Sequence, residues 1–356
     1  MNWNNELTRL LDITYPLIQA PMLGVTTPAM VAAAARCGTL GSLPVGGLSP
    51  QRTAELIRET KKLTDRPFAV NLFVYEIPAG TSEIAAIEMQ QQLQALAQEA
   101  GFDYEYKALD SFRHYSYREQ VPVLLEEDIR IVSFTFGIPD EDTTRTLKEK
   151  GTLLIGTATS VKEALLLQEQ GSDIITAQGI EAGGHRGSFL DKEYLPGIGS
   201  MSLIPQVVDG VTCPVIAAGG IRDGRTVRAA MMLGAQGLQI GSALLASEES
   251  MAIPAYKATL QHMQDTDTIL TRAFSGRWAR GIRNTFMEVI DRSGKEIPEY
   301  PWQNSLTGAF RAAAQKRDKK EYTNLWAGQS TAGAPYLPVA TILQQIIKEA
   351  EALSVV

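Results

Sequence analysis

The chain has 356 residues, 44% of them hydrophobic and 21% charged, with 33 Lys and Arg against 40 Asp and Glu and a formal charge of −7. That length exceeds what one small core fills, so it predicts either a large barrel with additions or two domains. The acidic balance argues against a nucleic-acid partner, which needs a basic face, and no apolar run reaches the roughly 18 to 20 residues of a membrane span.

The N-terminus, MNWNNELTRLL, is polar and acidic where an export signal is basic and then apolar, which makes the cytoplasm the default location. The first apolar run, PLIQAP (16–21), leads into MLG (22–24) and then Thr27 and Pro28, a good N-cap and first-turn pair for a helix. TLGSLP (39–44) follows, and SPQRTAELIRETKKL reads as the helix after it. Next come FAVNLF (68–73), IRIVSFTFG (129–137), TLLIGTA (152–158), DIITAQG (173–179), PVIAAGG (214–220) and GLQIGSALL (237–245). Most of these runs are continuously apolar, as in strands covered on both faces, and helix-like stretches such as SVKEALLLQEQG separate them. Eight such runs predict a (β/α)8 TIM barrel.

Two segments exceed what the repeat needs. Residues 81–100 form a strong helix pattern followed by the aromatic-rich FDYEYKALDSFRHYSYREQ, and residues 248–333 read as helix and loop. The expected division is therefore a barrel from 1–80 and 120–247, completed by a C-terminal helix within 335–356, and a smaller helical cap from 81–119 and 248–334. Cys37 and Cys213 lie far apart without metal-ligand spacing. They are expected to be buried thiols, with neither a disulfide nor a metal.

Barrel enzymes carry their sites on the C-terminal rim, with a phosphate site commonly formed after strands seven and eight. Gly219 and Gly220 end the seventh run, while Gly241 and Ser242 lie at the end of the eighth. Together they point to local phosphate binding, although each pair alone reads equally well as a tight turn. Met22 and Gly24 fall on the same rim. Asn71, Gln178 and Gln239 are amides within or at the ends of apolar strands, either satisfied in the core or facing a flat heteroaromatic ring.

The loop EAGGHRG follows the sixth run. Gly183 and Gly184 would let its backbone approach a bound ring, and His185 would project into the barrel mouth, where a neutral imidazole can take a proton near neutral pH. His114 and His262 lack such glycines and read as incidental. Tyr300, Trp302 and Trp326 in the cap either line the pocket or pack, with packing favoured.

QAPMLG, AVNLF, TAQGIEAGGHRG, IAAGGIRDGR and GLQIGSALL, in that order, resemble the FMN-dependent nitronate monooxygenases, formerly called 2-nitropropane dioxygenases. The similarity continues through TRAFSGRWARGIRNTF (271–286) and LWAGQ (325–329). It implies a TIM barrel holding FMN without a covalent bond, with Met22, Asn71, Gln178, Gly183, Gly220, Gln239, Ile240, Gly241 and Ser242 on the cofactor and His185 as catalytic base. Ser242 stands where the family often has threonine, and either hydroxyl suits a phosphate. The implied reaction is oxidation of alkyl nitronates, and of nitroalkanes after deprotonation, by dioxygen to carbonyl compounds and nitrite. An NAD(P)H-dependent FMN reductase of the enoyl-acyl carrier protein or quinone reductase type is the rival enzyme reading, and a flavin-carrying binding protein the non-enzymatic one. Oligomeric state is open, with a homodimer as one expectation.

Overall fold

The computed structural model describes residues 2–191 and 194–353. Its strands in chain order are β1 (Leu17–Gln19), β2 (Gly41–Pro44), β3 (Phe68–Phe73), β4 (Ile131–Thr135), β5 (Leu153–Ala158), β6 (Ile174–Gln178), β7 (Gly184–His185), β8 (Val215–Ala218), β9 (Gly237–Ile240), β10 (Thr268–Thr271) and β11 (Ala279–Ile282). Eight of them pair in parallel in the order β1-β9-β8-β6-β5-β4-β3-β2. A bridge between Ile18 and Leu40 joins the two ends, and Gln19 closes the seam further, its side-chain oxygen accepting from Ser42 N at 3.0 Å. The result is a (β/α)8 barrel, as the eight apolar runs predict.

The eighth run is shorter than expected. Its strand stops at Ile240, and Ser242–Leu244 turns as a 3-10 helix, so Gly241 and Ser242 lie on the rim itself. Thr27 caps the helix Pro28–Arg36 through a bond from Met30 N to its hydroxyl at 3.1 Å, as the Thr-Pro pair predicts. Cys37 and Cys213 are free and only half-buried, not fully buried as expected: Cys37 follows the helix Pro28–Arg36, and Cys213, in the connection to β8, packs only partly against the core.

At the N-terminal end of the barrel, Leu7 and Leu11 from the helix Glu6–Leu11 join Ile18, Leu40, Ala69, Ile131, Ile155, Ile174 and Ile216 in one apolar cluster. Gly237 makes this possible, since a Cβ there would meet Leu7 Cδ2 at 2.2 Å. Val339, Ile342, Leu343 and Ile346 of the C-terminal helix Val339–Ala352 pack with Leu17, Met30, Val227 and Leu238 on the barrel wall. Residues 354–356 of the expected C-terminal helix lie outside the described residues.

Above the rim, the helices Glu83–Ala100, Thr285–Arg292 and Trp302–Lys316 share a separate core around Met89, Leu93, Phe274, Phe286 and Phe310. Where the sequence reads as helix and loop, this region also holds two strands. β10 and β11 form an antiparallel hairpin that also pairs with β7, the two-residue strand carrying His185. No helix among the described residues is long and apolar enough to cross a membrane.

Candidate active site

The upper half of the barrel opens into a cavity of about 500 Å³ between the rim and the cap. Polar side chains from β3 to β6, including Asn71, Ser133, Thr157 and Thr176, line the end nearest the barrel. On one side of the rim Gly219 and Gly220 hold φ of +106° and +76°, a conformation glycine adopts without a side-chain penalty. The amides of Gly220, Gly241 and Ser242 have no protein acceptor among the described residues. Unpaired N–H groups converging on a cavity make a receptor for an anion. Glu181 does not compete for them, because its carboxylate accepts from Ser200 N at 2.8 Å and Ser200 Oγ at 2.9 Å.

The EAGGHRG loop is pinned at nearly every residue. Gln178 donates to the carbonyl of His185 at 3.1 Å and accepts from Gly187 N at 2.8 Å. Arg186, buried, donates to the carbonyls of Gly179 and Gln178 at 2.6 and 2.8 Å, and Arg280 grips Ile180 O at 3.0 Å. A Cβ on Gly183 would meet the backbone of Ala327 and Gly328 at 2.5 Å, and one on Gly187 would meet Thr157 Cγ2 at 2.7 Å. The glycine at 183 thus serves the approach of the cap loop. Gly184, with φ +74° and no atom near its missing Cβ, is the one open to the cavity.

His185 lines the cavity with Tyr300 and Trp326, whose ring centroids lie 6.3 and 5.5 Å from the imidazole. Its Nε2 is 2.8 Å from Ser275 Oγ, and that hydroxyl donates to Arg277 O at 3.2 Å. With the serine proton so placed, Nε2–H is the donor and Nδ1 carries the free lone pair. Protein encloses the ring, so the surface it keeps is cavity surface. Burial, then the nearby charges of Arg277 and Arg311, lower its pKa to about 3. The ring is therefore a neutral imidazole at neutral pH and a weaker base than a solvated one.

Neither arginine has a carboxylate within ion-pair distance among the described residues. The Arg277 guanidinium lies 4.1 Å from the centroid of Phe136. Phe136, buried at the end of β4, takes φ +82°, a strained conformation for a bulky residue, and its ring centroid stands 5.5 Å from that of His185.

Of the residues singled out in the sequence, Met22, Gly24, Asn71, Gln178, Gly183, Gly184, His185, Gly219, Gly220, Gln239, Gly241 and Ser242 all line the cavity. Ile240 does not, because strand alternation turns its side chain outward into the core beneath the C-terminal helix. The amides differ in availability. Gln178 is committed to the loop and Asn71 donates to Ser133 Oγ at 3.0 Å, whereas the Gln239 side chain has no partner among the described residues. Tyr300 and Trp326 face the cavity, contrary to the packing preference, while Trp302 packs on His114 at 4.7 Å. Ser275, Arg277 and Arg311 escaped the sequence reading. A usable signal for Arg311 was present in WQNSLTGAFRAAAQ, where Asn304, Gly308, Arg311 and Gln315 recur at spacings of four, three and four on one helix face.

The structure resembles a crystal structure of nitroalkane oxidase from Streptomyces ansochromogenes, with a TM-score of 0.88, 36% identity and 98% of each chain covered. FabK from Thermotoga maritima superimposes with a TM-score of 0.75 at 28% identity, over 98% of this chain and 96% of that one. A probable nitronate monooxygenase of Staphylococcus aureus (strain JH9) is 43% identical over 350 residues, 98% of each chain. The model of the nitronate monooxygenase family matches residues 4–349, and the chain belongs to that family of oxidoreductases.

Proposed function

We propose that this protein oxidises alkyl nitronates with dioxygen to carbonyl compounds and nitrite, using non-covalently bound FMN, with neutral nitroalkanes as poorer substrates. The observation that carries the reading is a neutral imidazole in a cavity it shares with the glycine cradle, near two guanidiniums that have no carboxylate partner among the described residues. The residues present fit FMN. Gly219, Gly220, Gly241 and Ser242 would hold the phosphate, and Met22, Gly24, Asn71 and Gln239 the rest. FMN bound there supplies the electron acceptor and the chemistry with dioxygen.

The chain's own contribution is electrostatic and positional. Arg277 and Arg311 disfavour imidazolium, and the same charges favour an anion in the cavity, so a preformed nitronate suits the resting site. A neutral nitroalkane must first lose a proton, for which Nδ1 of His185 is the available acceptor. Its weak basicity makes that step the slower route, although the charges that oppose imidazolium also stabilise the nitronate formed. The aromatic wall of Phe73, Phe136 and Tyr300 around the imidazole keeps water from it.

The test mixes FMN-loaded protein anaerobically with a small nitronate, or with NADPH, and then admits oxygen. The nitronate is expected to bleach the chromophore, with nitrite appearing after oxygen. Bleaching by NADPH alone would replace this reading with the reductase one, which the FabK likeness makes the relevant rival. His185→Asn should keep its FMN and lose activity on nitroalkanes more than on nitronates by roughly 10²- to 10⁴-fold, the usual range for a general base. Equal losses on both would assign His185 to binding.

A further inference from the structure

Arg311 projects from the cap helix Trp302–Lys316 and lines the cavity with Asn304, Gly308, Gln315 and Asn324. Its hydrogen bonds all go to neutral groups. Nε donates to Thr307 Oγ1 at 3.1 Å, Nη1 to Asn324 Oδ1 at 3.1 Å, and Nη2 to Asn304 O at 2.9 Å and Asn304 Oδ1 at 2.8 Å. A guanidinium has five N–H donors, so these four bonds leave one, on Nη1, without a protein acceptor. Burial lowers its pKa to about 10, which still leaves it a cation at neutral pH.

An enclosed cation without a counter-charge is costly, and here neutral groups fix the guanidinium rigidly while leaving its charge uncompensated. That is the construction of a receptor, in which the compensating charge arrives with a ligand. The glycine cradle lies at the ends of β8 and β9, whereas Arg311 belongs to the cap helix and its charge reaches His185. Arg277 is no substitute, since Phe136 covers its face and it does not line the cavity.

We infer that Arg311 is the receptor for a planar, singly charged two-oxygen anion inside the cavity, distinct from the phosphate cradle. The single free N–H suits such a monoanion better than a phosphate, which calls for several donors. Two sources share this chemistry: a carboxylate carried by the substrate away from its reacting carbon, or the nitrite released by the reaction. The second rests on the function proposed above.

The test begins with binding, which needs no turnover. Acetate and nitrite are titrated calorimetrically into FMN-loaded wild-type protein, Arg311→Gln and Arg311→Lys. Saturable binding to wild type is expected, weakened about 10- to 100-fold in Arg311→Gln, the usual range for a lost charged hydrogen bond, and largely kept in Arg311→Lys. No binding to wild type, or equal binding to Arg311→Gln, overturns the inference. If Arg311→Gln does not fold, loss of binding when Asn324→Leu unseats the guanidinium supports it, and retention opposes it.

Kinetics then separates the sources, using the nitronates of 1-nitrobutane and 4-nitrobutanoate. A fall in kcat/KM of Arg311→Gln at least about tenfold greater on the nitrobutanoate than on the nitrobutane identifies a substrate carboxylate. Equal falls on both, with weakened nitrite binding and relief of nitrite inhibition, identify the product. Equal falls on both with anion binding unchanged assign Arg311 to structure. If wild type oxidises neither nitronate, the proposed function fails, while the acetate titration still decides the receptor.

Discussion

His185 shows how one side chain's surroundings decide its chemistry. An unfolded imidazole titrates near 6.5, while burial and the charges of Arg277 and Arg311 take the folded one to about 3. Between those values the unfolded chain binds the extra proton, so the stability this group confers is complete above about pH 6.5 and declines as the pH falls towards 3. Thermal melts between pH 7 and 4 should show a falling Tm for wild type and a shallower fall for His185→Gln, which has nothing to protonate. Parallel curves would mean that the imidazole is hydrated and ordinary. The residue type and its place on the rim were legible in EAGGHRG. Its basicity was not, because Arg277 and Arg311 lie about ninety or more positions downstream and only folding brings their charge to it.

At the scale of elements, barrel strands announced themselves while the small sheet stayed hidden. β3, β4 and β6 are buried along nearly their whole length and mostly apolar, so composition marks them. β7 is two residues long, and β11 reads ARGI with a buried Arg280 that is satisfied only by Thr268 and by Ile180 O. Without those distant acceptors a charge in a short strand looks like a loop. The pairing of β7 with β11 ties the loop carrying His185 to the cap, and the contact of Gly183 with Ala327 and Gly328 sets how closely they sit. Gly183→Ala should therefore push the cap loop away at a cost of about 1–3 kcal/mol, the range for overpacking. Limited proteolysis should then cut faster within residues 323–334 while the barrel remains intact. Unchanged cleavage and Tm would show that the loop accommodates a methyl group.

The whole molecule separates a supporting half from a working half. The floor cluster and the outer helices hold the barrel, and the cradle contributes little to packing. Gly220→Asp brings a negative charge to the amides, with nothing within 3.8 Å of its Cβ but about 1–2 kcal/mol of backbone strain from the φ of +76°. It should abolish retention of FMN while Gly220→Asn, strained alike but neutral, retains more, and circular dichroism of both stays that of wild type. Full retention would move the phosphate elsewhere. The plug formed by Leu7 and Leu11 has a further consequence. It closes the N-terminal end of the barrel, so among the described residues the cavity lies under the cap, and an organic substrate and its product share that side. A molecule lodged there blocks departure as effectively as arrival. Turnover should therefore slow as the product grows bulkier, which steady-state kinetics across a series of longer-chain nitronates would show.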